Sequence, residues 1–210
     1  MTKRVTMKAQ DILLRVRSRL RDENFTSKEG VKFSDAEIID ALNDTAIKVI
    51  KALKINIAQS AKFLSPSKQS ILLKHTPAAI IKATYNGAQI PIKPHAQIIA
   101  DPPKSLTLYP ISPKEYALYP PKQDGIIEIW ASFYPPVKRA NDEVALDDSF
   151  CQLLVYGVLE RLFQIETNEN NLQRVKFYAS EFARELANIS DLLNKNSESG
   201  EVWQTKCNFY

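Results

Sequence analysis

All twelve prolines of the chain fall between Pro66 and Pro136, and none lies in the helix-periodic segments on either side. Proline removes a backbone donor and clashes inside a helix, yet sits readily at strand ends and turns. This distribution predicts a β-rich middle flanked by helices. Short β-prone runs fill that middle: Ser70–Leu73, Ala79–Tyr85, Gln89–Ile92, Leu106–Tyr109, Tyr116–Tyr119 and Ile126–Phe133. Asn86-Gly87, between two of them, is a hairpin signal. In the last run Ile127, Ile129, Ala131 and Phe133 alternate with Glu128, Trp130 and Ser132, the pattern of a half-buried strand.

The flanks read as helices. Thr6 is placed as the N-cap of a helix from Met7 to about Asp22, with Ile12, Leu13, Val16 and Leu20 at helical spacing. Ser34-Asp35-Ala36-Glu37 forms a capping box, and Phe33 with Ile38 a hydrophobic staple. Ile39, Leu42, Ala46, Val49, Ile50 and Leu53 then mark one buried face. Beyond the β section, Pro135-Pro136 and Asn141-Asp142-Glu143 read as loop, and Asp147, Asp148 and Ser149 cap the next helix. That helix, through Phe163, is apolar nearly all round, so other elements must enclose it. Its polar sector, around Gly157, Glu160 and Arg161, is expected to be a close helix contact. After a break at Thr167–Asn171, a partner helix places Leu172, Val175, Phe182, Leu186, Ile189 and Leu193 on one face. By loop length the two form an antiparallel hairpin.

The expected fold class is α+β: a helical bundle, with two N-terminal and two C-terminal helices, carrying an inserted small antiparallel β-sandwich or open barrel. The expected division is 1–60 with 140–195 as bundle, 61–139 as β module, and 196–210 as a C-terminal docking tail. In that tail Trp203, Phe209 and Tyr210 follow a polar stretch, and they are the candidate docking residues.

Catalytic chemistry finds no foothold. Five glycines, at 30, 87, 125, 157 and 200, build no phosphate loop or dinucleotide fingerprint. His75 and His95 lack metal-ligand spacing, and neither stands near a recognisable nucleophile motif. Cys151 and Cys207 form no ligand-type pair. No catalytic residue, metal or cofactor is therefore expected, and the chain reads as a non-enzyme. No stretch has the length of a transmembrane helix and no signal-peptide pattern opens the sequence, so a cytosolic compartment is expected.

Charge is lopsided. Residues 1–125 carry 20 Lys and Arg against 11 Asp and Glu, whereas 126–210 carry 8 against 13. Such polarity suits head-to-tail packing of copies, or a basic face near nucleic acid. Lys62, Lys68, Lys74, Lys82, Lys93, Lys104, Lys114 and Lys122 run through the β section with Tyr85, Tyr109, Tyr116 and Tyr119 among them. Lysines and tyrosines interleaved in this way could line a strand-binding groove. Lysines guarding sheet edges is the plainer reading.

Taken in order, Asp11-Ile12-Leu13-Leu14-Arg15-Val16-Arg17, a loop, and Phe33 through Asp44 resemble the opening of head-to-tail adaptor proteins of tailed bacteriophages. The resemblance continues through Asp101-Pro102-Pro103, Leu108-Tyr109-Pro110 and Ile127-Glu128-Ile129-Trp130 to Leu153–Arg161 and its amphipathic partner. It covers roughly residues 6–193 and lies in the order of elements. It implies a structural protein of the virion's head-tail junction, assembled in the host cytoplasm. Copies would form a twelve-fold ring under a portal protein, with a tail or nozzle protein below and double-stranded DNA passing through the lumen. An aromatic C-terminal segment would reach the portal. The alternative is a DNA-binding accessory protein that contacts phosphates through its lysine-rich β module.

Overall fold

The computed structural model of the chain describes residues 6–20, 33–121, 124–165 and 169–198. The elements begin with β1 (Thr6–Lys8), α1 (Ala9–Leu20), α2 (Asp35–Leu53), β2 (Ile57–Leu64), β3 (Ser70–Leu72), β4 (Ala79–Tyr85) and β5 (Ala88–Gln89). They continue with α3 (His95–Ala100), β6 (Thr107–Pro110), β7 (Glu115–Tyr119), β8 (Gly125–Ser132), β9 (Glu143–Asp147), a 3-10 turn (Asp148–Phe150), α4 (Cys151–Ile165) and α5 (Glu169–Glu198). The protein is α+β, with five α-helices and antiparallel sheets among the described residues. It divides into two compact units: 6–49 with 135–198, and 50–134.

The first unit is built around α4. Leu153, Leu154, Val155, Val158, Leu159 and Leu162 are fully buried, and each such side chain contributes about 1.5–3 kcal/mol of hydrophobic stabilisation. Asp147 caps the 3-10 turn that leads into α4, its Oδ1 accepting from Ser149 N at 3.0 Å. On α2 the capping box forms in both directions: Glu37 N donates to Ser34 Oγ at 3.2 Å, and Ser34 N donates to Glu37 Oε2 at 2.7 Å. Phe33 and Ile38, the staple pair, are both buried. Arg17 ties α1 to this start, donating to Phe33 O at 3.3 Å and pairing with Asp35.

Two expectations fail at the edges of this unit. Thr6 is no N-cap: β1 pairs antiparallel with β9, Thr6 opposite Asp147 and Lys8 opposite Glu143. α1 accordingly starts only at Ala9, and Asp11 Oδ2 accepts from Lys8 N at 3.1 Å. Glu143, read as loop, is the first residue of β9. The chain just before it is turned by Asp142, whose carboxylate accepts from Lys138 N at 2.8 Å and Arg139 N at 2.9 Å.

In the second unit, β2-β8-β4-β5 form one sheet and β3-β7-β6 another. Ala83, Ile127 and Ile129 of the first share a buried cluster with Ile71, Leu108 and Leu118 of the second. The Asn86-Gly87 turn has φ of 48° and 80°, the two positive values of a type I′ hairpin, and Tyr85 faces Ala88 across it. Gln89–Ile92, expected as a strand, contributes only Gln89 to β5. α3 and β2 were not anticipated.

Candidate interaction surfaces

The polar sector of α4 is a helix contact, and Gly157 is its centre. A β-carbon there would collide with Thr45 Cγ2 on α2 and come within 2.9 Å of the Phe182 ring on α5. With hydrogen in that place, three helices meet at one point. Charges then frame the crossing: Lys48 Nζ lies 3.5 Å from Glu160 Oε2, and Arg161 pairs with Asp44. Lys48 also stands 4.5 Å from the centre of the Phe182 ring, a cation–π contact. The space left among these side chains is a pit of about 60 Å³, room for ordered water and little more.

In the same unit α1, α4 and α5 border an open groove of about 550 Å³. Its wall is a row of rings. Tyr178 stacks on Phe163 at 5.7 Å with planes 3° apart, and Tyr156 lies 6.3 Å beyond. A guanidinium closes each end, Arg19 4.9 Å over Tyr156 and Arg174 5.3 Å over Phe163. Phe177 stands on the rim, 55% exposed. The expected single apolar face of α5 accounts for Phe182 and Ile189, which are buried, but not for Leu172, which is 61% exposed.

A third surface is the outer face of the β2-β8-β4-β5 sheet. Phe63 lies directly across from Ile126, and both are exposed, as is Ile57 farther along β2. Between them Glu128 accepts from Gln59 Nε2 and Thr84 Oγ1, each at 2.8 Å, and Lys82 Nζ sits 5.0 Å over the Trp130 ring. The lysines do not gather into one line. Lys62 is opposite Ile127, an inward position, and donates to Ser70 O at 2.7 Å, whereas Lys82 is opposite Trp130 on the outer face. Strand alternation puts the two on opposite sides of one sheet.

Shifted acidities follow from local structure. Hydrogen bonds from the Ser34 backbone and hydroxyl hold Glu37 below the usual glutamate range, and those from Lys138 and Arg139 N–H groups do the same for Asp142. Burial pushes Tyr116 and Cys151 up. His95 stacks on Tyr109 at 5.4 Å. No group of three or more metal-ligating side chains converges among the described residues, and no described helix is long and apolar enough to cross a membrane.

Trp203, Phe209 and Tyr210 lie outside the described residues. Sequence reasoning passed over Phe177, Tyr178 and Arg174 of the groove, and the exposed pair Phe63 and Ile126. For the sheet face a signal existed: Ile57, Ala61 and Phe63 alternate along β2. No protein-family model matches the chain, and no curated protein matches it.

Proposed function

We propose that this chain is a structural virion protein, a head-to-tail adaptor of a tailed bacteriophage. Twelve copies form a ring at the head-tail junction, docked under the portal protein and followed by a tail or nozzle protein. The finer architecture that goes with this reading is a helical bundle of two N-terminal and two C-terminal helices, with the β section inserted as a small sandwich or open barrel. The observation that carries the reading is the order of elements: α1, the stapled α2, a proline-punctuated β section, the enclosed α4 and its long partner α5.

Two further features support it. A ring needs a head-to-tail interface that closes on itself, and exposed apolar side chains on both units, among them Phe63, Leu72, Phe177 and Leu192, offer contact area for one. Residues 50–134 hold ten lysines, no arginine and four acids. Diffuse lysine charge is suited to a lumen through which DNA slides without being gripped.

Negative-stain microscopy of the protein, alone and mixed with a portal, tests the proposal. Rings are expected; a monomer that ignores the portal would refute it. Removing residues 196–210 is expected to leave the melting temperature unchanged and weaken portal attachment. The alternative, a DNA-binding accessory protein, requires tight binding with a steep salt slope. The opposite facing of Lys62 and Lys82 counts against a single phosphate-binding line there.

A further inference from the structure

We infer that the groove bordered by α1, α4 and α5 is the seat for Trp203 of a second copy of this chain, a contact that rests on the self-assembly in the adaptor reading and names its site. The groove combines stacked rings with two guanidiniums, and neither Arg19 nor Arg174 has a carboxylate partner among the described residues. Indole between aromatic faces and arginine is a favourable packing partner. The stretch around Trp203 supplies the complementary charge: Glu198 and Glu201 precede Val202-Trp203, with no basic residue until Lys206.

Distance assigns the tryptophan to another molecule. From Phe177 on the groove rim to Glu198 at the end of α5 is 21 helical residues, about 32 Å at 1.5 Å each. Trp203 lies five residues past Glu198, at most about 18 Å of fully extended chain. It therefore falls well short of its own groove. A neighbour's groove carries no such limit, and a chain that gives its tail to one neighbour and receives from another makes the heterologous contact that generates rings.

The test uses the full chain. With Trp130 replaced (Trp130→Phe), Trp203 is the sole tryptophan, and its emission is expected to move to shorter wavelength as protein concentration rises. Trp203→Ala and Phe177→Ser, the second at an exposed position, are each expected to weaken self-association by roughly thirtyfold, the loss of an aromatic anchor. Mixed together, the two variants should recover a 1:1 complex, since one keeps a working groove and the other a working tail. Emission independent of concentration would overturn the contact, because it would mean that Trp203 stays in water or docks on its own chain. Self-association undiminished in either variant would overturn it too, whether the groove is filled by Phe209 and Tyr210 or by another segment. Rings that persist in both variants would remove this contact and leave the adaptor reading standing. Complementing variants that never engage a portal would do the reverse.

Discussion

The two units bury apolar residues by different rules. In the helical unit α4 is enclosed on nearly every side, and even its polar sector is committed, through Gly157, Glu160 and Arg161, to neighbouring helices. In the β unit β2 and most of β8 bury one face and expose the other. Ile127, Ile129 and Ala131 are buried while Ile126 and Phe63 stand in solvent. α4 offers a partner little beyond the rings along the groove, whereas the β2-β8-β4-β5 sheet leaves a whole face. Damage to the buried face of α4 should therefore appear as lost stability, and damage to the outer face of the sheet as lost association.

That contrast can be broken by measurement. Leu154→Ala is expected to cost about 3 kcal/mol in chemical denaturation, from lost burial plus a cavity that tight packing does not refill. Gly157→Ala adds one carbon where Thr45 and Phe182 leave no room, and about 2 kcal/mol is expected. A neutral result would mean that the three helices do not approach as described. Ser34→Ala removes the N-cap of α2 and should cost about 1 kcal/mol.

A smaller effect is expected from acid. Glu37 and Asp142 have lowered pKa values in the folded protein, so their contribution is fully present above the ordinary carboxylate values of about 4. It is lost as pH falls through the lowered folded values. In a pH series of melting curves, Glu37→Gln should flatten the acid limb; an unchanged limb would mean the capping box does not persist in solution. Smallest on stability is Phe63→Ser, within about 0.5 kcal/mol, yet it should reduce self-association in sedimentation. If Phe63→Ser unfolds the protein instead, the sheet has no free face.

Local chemistry was legible wherever its partners lie close in sequence. The Ser34–Glu37 box, the Asn86-Gly87 turn and the Asp147 cap each close within three residues, so residue type alone predicts them. The close approach at Gly157 was legible because a single glycine in an otherwise apolar helix has few other uses. The β1–β9 pair was not, since Thr6 finds Asp147 across most of the chain and a three-residue strand has no period of its own. β2 was missed for a different reason. Its alternation is real, but Ile57, Ala61 and Phe63 point outward and Lys62 inward, the reverse of the usual phase.

By itself, then, the sequence determined how α2 and the turn into α4 start and which helix must be enclosed, because caps and apolar periodicity act over a few residues. Only the tertiary structure decided which face of β2 looks outward, that Lys62 and Lys82 lie on opposite sides, and that Arg19 and Arg174 bracket one row of rings. Those outcomes depend on which distant strand or helix each segment meets, and no local propensity encodes that choice.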